Sequence, residues 1–404
     1  MLSIATLLYP RGASDLLFLP FSEGSVLFLP GTRRIWTLNH TASVIWCLVG
    51  DDPNVDDISS RLSSIYGISL EQARVDTGLV LQVLHEAQLV DTTFIESDTK
   101  SNEFDPVPTQ SDCALVRAPQ GVDRFLISTT GHSIAFCSFD CKVAREYKSA
   151  LHAFFVSSLD RPVDTTLLLF PSADASSSEH FDIYVNGRCY YYGIHEECLL
   201  PILLGVTFTR ITESLTDRLL FHSAVLEKNN RAILFPGDAG AGKTTLAATL
   251  ARKGYSFFAD ELALLEPNKG LIAPLPLPMS IKTSGVEVLR QLYPVLDQVP
   301  VYKRADGKNV KILPPILNTI FNLNLQIEPA VIVFPRYDLS AATQISPLSK
   351  AETISRLVSV CSSSRPLVEQ DIAAMIRLVD ENPCYEAVYS DINTVYEFLE
   401  QGAY

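Results

Sequence analysis

The chain has 404 residues, 47% hydrophobic and 19% charged, which is enough apolar material for two or three domains with sizeable cores and too much for a disordered chain. The formal net charge is −14, and residues 1–112 hold six basic against fifteen acidic side chains, so the front of the chain lacks the cationic footprint that nucleic-acid binding requires. The longest apolar stretch, Leu199 to Phe208, is about half of the ~20 residues a membrane-spanning helix needs, which excludes a membrane span as an expectation.

Met1 to Pro10 carries a short apolar run without a preceding basic region or a small-residue cleavage site, and the eight cysteines are scattered with no CxxC pair. Both features predict a cytoplasmic protein with free thiols. Residues 16–38 read as three short strands, Leu16 to Leu19, Ser25 to Leu29 and Arg34 to Leu38, punctuated by Pro20, Gly24, Pro30 and Gly31. Three helices are predicted next, with Asn39 and Asn54 able to cap the first two and Ser69 preceding the third; their apolar faces are read as Ala42, Ile45, Trp46 and Val49, as Val55, Ile58, Leu62 and Ile65, and as Ala73, Val80, Leu81, Val83 and Leu84. This β-then-α module ends near Asp91. Residues 92–112 are polar, acidic and proline-containing, and read as a linker.

From Cys113 the chain turns strand-rich, with Phe125 to Ser128, Ser133 to Phe139, Thr166 to Phe170 and Phe181 to Val185, then helical around Leu200 to Leu215. These strands either extend the sheet of the segment that follows, the favoured reading, or form a separate small domain. Beyond Phe221, strands alternate with helices, the pattern of an α/β domain.

The segment with the most chemistry follows an apolar strand, Ala232 to Phe235. Gly237, Asp238, Ala239, Gly240, Ala241, Gly242, Lys243, Thr244 and Thr245 spell GxxxxGK(S/T), and an alanine- and leucine-rich helix closed by Gly254 comes next. In that context the glycines let backbone N–H groups face a phosphate chain at a helix start. Lys243 is then placed to reach the β and γ phosphates of ATP, and Thr244 to give a hydroxyl to Mg²⁺. The alternative is a glycine-rich turn that only caps a helix. Tyr255 to Ala259 reads as a strand delivering Asp260 and Glu261 at its end. Adjacent carboxylates there can divide metal binding and proton acceptance; the competing reading is an acidic turn facing solvent. His222, fifteen positions before Gly237, is either a site residue or a structural histidine beside an apolar run.

Together, His222, the GDAGAGKTT segment and Ala259-Asp260-Glu261 resemble the catalytic domain of bacterial HPr kinase/phosphorylase, chiefly over residues 220–265. Weaker likeness continues through PLPLPMSIK at 274–282, YKRADGK at 302–308, FPRY at 334–337 and the strand and helix from Cys384. The resemblance implies a phosphoenolpyruvate-carboxykinase-like α/β fold and transfer of the ATP γ-phosphate to a serine hydroxyl. It implies further that Asp260 activates the acceptor, that Lys243 and the turn amides hold the phosphates, that Thr244, Asp260 and Glu261 serve Mg²⁺, and that His222 orients the acidic pair. Glu261 stands where the family has a second Asp, Thr244 where it has Ser, and the family's downstream glycine-rich signature is missing. Lys282, Arg304 and Arg336 are candidate phosphate or substrate contacts in its place.

Residues 1–91 resemble a PqqD-type domain, through the strands before Trp36, the segment LNHTASVIW at 38–46, the helix with Ile58 and Leu62, Tyr66-Gly67, Asp76 and Leu84 to Val90. That family implies a small winged-helix-like α+β domain which captures a precursor peptide as an added strand lying along its third helix. The expected organisation is therefore a peptide-recognition domain at 1–91, a linker at 92–112 and an HPr-kinase-like catalytic domain at 113–404. The expected partner is a precursor peptide or protein, with no nucleic acid and no membrane, and a homo-oligomer is left open. Two other readings compete: a small-molecule kinase, and an ATP-gated peptide chaperone without catalysis.

Overall fold

The computed structural model describes residues 7–8, 16–31, 33–51, 54–92, 122–129, 131–139, 141–172, 179–315 and 318–402. The expected linker at 92–112 lies, apart from Thr92, outside the described residues, as do Cys113 and most of Met1 to Pro10. The chain is a mixed α/β protein with several sheets that divides into two compact units. One comprises residues 1–110 with 349–355 and 366–376; the other comprises 111–348 with 356–365 and 377–404. No helix among the described residues is long and apolar enough to cross a membrane.

In the first unit, Leu17–Phe21, Gly24–Phe28 and Ile35–Asn39 form an antiparallel meander, and the helices His40–Asp51, Val55–Tyr66 and Leu70–Glu86 follow. Each helix starts where a side chain satisfies an otherwise orphaned amide. Asn39 Oδ1 accepts from Ala42 N at 2.9 Å, Asn54 Oδ1 from Asp56 N at 2.9 Å, and Ser69 Oγ from Gln72 N at 3.2 Å. The second helix ends at Gly67, whose φ of 65° suits the left-handed cap that glycine adopts without strain. Leu27, Ile45, Trp46, Ile58, Leu62, Ala73, Leu81 and Leu84 meet in one buried core. Ile65 and Val83, read in the sequence as part of the apolar faces, are instead exposed.

In the second unit, residues 123–195 make a sheet of their own. Its strand order is Arg188–His195, His180–Val185, Thr165–Pro171, His132–Ser138, Asp123–Thr129 and Phe155–Val156. This corrects the expectation that these strands extend the following sheet. Four of the five pairings are antiparallel and join strands close in sequence, so the segment satisfies its backbone locally. The helices Lys142–Leu151 and Glu196–Ser214 share its apolar core through Tyr147, Leu151, Leu199 and Leu203.

The larger sheet is ordered Leu271–Ala273, Leu262–Glu266, Leu219–Lys228, Arg231–Pro236, Glu328–Tyr337, Cys384–Tyr389 and Gln344–Pro347, with Ser256–Ala259 also paired to Leu219–Lys228. Arg231–Pro236, Glu328–Tyr337 and Cys384–Tyr389 run parallel. Helix Lys243–Arg252 packs on this sheet with Leu246, Ala247 and Leu250 buried, and Met279–Lys282, Asn309–Leu313 and Tyr302–Lys303 form a small separate sheet.

Candidate functional site

One strand assembles the site. Leu219–Lys228 pairs with Arg231–Pro236, which runs into the glycine-rich turn, and with both Ser256–Ala259 and Leu262–Glu266, the strands that flank Asp260 and Glu261. His222 lies on that strand opposite Leu262. Its backbone carbonyl accepts from Gly237 N at 3.1 Å, and its N–H donates to the Val360 carbonyl at 2.8 Å. Residues far apart in sequence are thereby fixed through backbone hydrogen bonds rather than through flexible side chains.

The turn from Gly237 to Gly242 is held open by glycine geometry. Gly240 and Gly242 have φ of 100° and 94°, a region that costs other residues about 1–2 kcal/mol. A side chain at Gly242 would begin 2.8 Å from Tyr389 Oη and 3.0 Å from Tyr337 Cβ, so the backbone passes where only glycine fits. Ala241 N donates to Asp238 O at 3.2 Å, while Asp238, Ala239 and Gly240 are exposed at the crest. Thr245 lies further along, with Oγ1 2.9 Å from where a side chain on Gly285 would start.

Lys243 is 6% exposed and donates from Nζ to the carbonyls of Gly237 at 2.7 Å and Asp238 at 2.9 Å. Burial holds its pKa below the usual lysine value, and the nearby Lys282 charge adds to this, while Glu261, Asp260 and Asp238 act in the opposite sense. Asp260 is buried at 5% exposure. Burial and the neighbouring Glu261 charge push its carboxyl up to about 7, against the pull of the Thr244 hydroxyl that donates to it and of the Lys243 charge. Its Oδ1 is buried without a hydrogen-bond partner. Adjacent Glu261 is 54% exposed at its side chain. The acidic turn is thus neither wholly solvent-facing nor wholly buried.

His222 Nδ1 lies 3.2 Å from the Glu261 carbonyl oxygen and 3.6 Å from Glu261 Oε1. Burial and the Lys243 charge hold its pKa below the ordinary histidine value, outweighing Glu261. The carbonyl can only accept, so Nδ1 carries the proton and Nε2 remains as the acceptor.

His222, Lys243, Thr244, Asp260, Glu261 and the turn therefore come together, with Lys282 close enough for its charge to act on Lys243. Arg304 is not shown joining them: it sits in the turn after Tyr302–Lys303, with Nε 3.5 Å from Asp306 Oδ1. Arg336 is exposed near the end of Glu328–Tyr337; the Ser340 hydroxyl and amide, with the Arg336 charge adding to them, hold the Asp338 carboxyl below the usual range. Sequence reasoning assigns no role to Tyr337 or Tyr389, which stand beside Gly242; the aromatic ends of FPRY and CYEAVY are the only signal.

Thr244, Asp260 and Glu261 could offer oxygen donors to a hard cation. Among the described residues no group of three or more His, Cys, Asp or Glu side chains is disposed to hold a metal ion. Two carboxylates and a hydroxyl instead suit a cation that keeps waters and shares phosphate oxygens.

In the first unit the exposed residues are equally informative. Val75, Leu79 and Val83 recur every four positions along helix Leu70–Glu86 and are 52%, 59% and 62% exposed. The strand Ile35–Asn39 is at an edge of its sheet. No curated protein matches the chain. Residues 24–90, which span the last two strands of the meander and all three helices, match the family described as Coenzyme PQQ synthesis protein D (PqqD).

Proposed function

We propose that the chain is an ATP-dependent serine kinase whose acceptor is a hydroxyl on a peptide, a ribosomal natural-product precursor captured by residues 1–91, and that its catalytic part has a phosphoenolpyruvate-carboxykinase-like P-loop fold. The observation that carries this reading is Asp260 Oδ1, a buried carboxylate oxygen with no donor, beside Lys243 and Thr244. An unpartnered buried acceptor is costly, and an incoming hydroxyl supplies the missing hydrogen bond.

In this reading Lys243 leaves the Gly237 and Asp238 carbonyls to meet phosphate oxygens, and the turn amides bind the rest of the chain. Thr244, with the acidic pair, would hold Mg²⁺, which when bound would neutralise phosphate charge. Asp260 accepts the proton of the acceptor hydroxyl as its oxygen bonds to the γ phosphorus and the bond to the ADP oxygen breaks. A carboxyl poised near 7 is suited to that task. His222, uncharged and tied to Glu261, fixes the orientation of the acidic pair.

The PqqD match supports a peptide as partner. So do the edge strand Ile35–Asn39, which can take an added strand, and the apolar row Val75, Leu79 and Val83, which can take its side chains. The test is phosphate transfer from labelled ATP to a precursor peptide, followed by intact mass. Wild type should add 80 Da increments, ~80 being the mass of one phosphoryl group, whereas Lys243→Ala and Asp260→Asn should lose at least ~100-fold in rate. Undiminished transfer in both variants overturns the mechanism. Transfer to small alcohols but not peptides favours the small-molecule reading, and binding without transfer favours the chaperone.

A further inference from the structure

We infer that Tyr337 is the surface on which the base of a bound nucleotide stacks; this rests on the kinase reading, because it presupposes a nucleotide at the glycine-rich turn. Tyr337 closes the strand Glu328–Tyr337, which runs parallel to Arg231–Pro236 with Leu234 opposite Ile332. Both strands thus present their carboxyl ends on the same side, and ligands of open α/β sheets lie outside those ends.

The backbone of Tyr337 is tied to the turn and its ring is packed on one side. Tyr337 N donates to the Ala241 carbonyl at 3.2 Å, which ties it to the turn, and its Cβ, with Tyr389 Oη, crowds the place a side chain at Gly242 would take. Behind it stands Tyr389, 1% exposed, with ring centroids 5.6 Å apart and planes at 60°. Tyr389 is in parallel register with Tyr337 on the next strand, and its carbonyl accepts from Asp338 N at 2.9 Å. One aromatic is therefore spent on packing, while the other remains 40% exposed beside the turn.

An aromatic ring held rigid and open to solvent is a stacking platform that loses little entropy on binding. The chemical class this fits is a nucleoside triphosphate, recognised by its base as well as by its phosphates.

The experiment compares ATP with inorganic tripolyphosphate, each with Mg²⁺, by isothermal titration on wild type, Tyr337→Ala, Tyr337→Phe and Lys243→Ala. Tyr337→Ala should weaken ATP about tenfold or more while leaving tripolyphosphate within about twofold, and Tyr337→Phe should retain ATP affinity. Equal weakening of both ligands in Tyr337→Ala, or no weakening of ATP, overturns the inference while the kinase reading stands. A wild type that binds neither ligand, or Lys243→Ala binding both as wild type does, removes the kinase reading itself and the inference with it.

Discussion

His222 Nδ1 lies 3.2 Å from the Glu261 carbonyl oxygen, and the charged end of the same glutamate reaches to 3.6 Å. The backbone contact is available to the neutral imidazole, whereas the side-chain contact becomes an ion pair only on protonation. Because burial and Lys243 disfavour the imidazolium, the hydrogen bond to the carbonyl is the contact that operates at neutral pH.

This yields a measurable consequence for Glu261→Gln. Glu261 raises the pKa of His222, so its removal should move the His222 titration, followed by NMR at the imidazole carbon and assigned with His222→Gln, to lower pH. The same change should lower the Asp260 pKa, since the Glu261 charge is one of the two causes of its rise. A His222 midpoint that stays in place would mean that the Glu261 side chain does not act on the imidazole.

Gly242→Ala should destabilise the second unit by about 1–3 kcal/mol, from the left-handed φ of 94° and the close approach to Tyr389. Thermal unfolding measures this. The Gly242→Ala/Tyr389→Phe double variant should recover part of the loss, because it removes the hydroxyl 2.8 Å from the new methyl group. An additive double variant would place the cost in the backbone conformation and the Tyr337 contact rather than in the Tyr389 hydroxyl.

The features legible in the sequence are those whose physics is local. Asn39, Asn54 and Ser69 cap the helices predicted from them, since a capping bond spans two or three residues. The glycines of the turn are legible for the same reason: a positive φ is a property of one residue. What depends on pairing is not legible. Nothing within residues 123–195 says whether their strands join each other or a sheet formed later in the chain. Asp260 and Glu261 are adjacent and chemically alike, yet one is buried and the other exposed, because Ser256–Ala259 and Leu262–Glu266 both pair with a strand some thirty to forty residues earlier. For Arg304 the structure shows a neighbour the sequence pattern does not single out, Asp306, two residues away. Tyr389 reaches Gly242 only through two parallel pairings, which no local pattern encodes.

Along helix Leu70–Glu86, neighbouring leucines should behave oppositely. Leu81 is 7% exposed in the core, and Leu81→Ala should cost about 2–5 kcal/mol in stability. Leu79 is 59% exposed, so Leu79→Glu should leave stability within about 0.5 kcal/mol. If the row Val75, Leu79, Val83 carries the peptide, Leu79→Glu should nevertheless weaken binding of a labelled precursor peptide about tenfold, read by fluorescence anisotropy. Unchanged anisotropy titrations would move the peptide off this row.

Asp260 should make stability depend on pH in a direction opposite to that of an ordinary salt-bridged carboxylate. Its pKa is raised in the folded chain from 3.8 to about 7, so between those values the folded state binds the proton that the unfolded state has lost. Stability then falls as pH rises through this window, and above about 7 the full penalty of a buried charge applies, on the order of 4 kcal/mol at most. Asp260→Asn removes the titration. Its stability advantage over wild type should therefore be smallest near pH 4, grow steadily through pH 5 and 6 and level off above about pH 7.5, as measured by urea unfolding across that range. Mg²⁺ added at pH 8 should raise the melting temperature of wild type more than that of Asp260→Asn if the ionised carboxylate is a cation ligand. An advantage that is constant with pH would show that Asp260 is ionised with no penalty, and the case for it as a base poised near neutrality would fall.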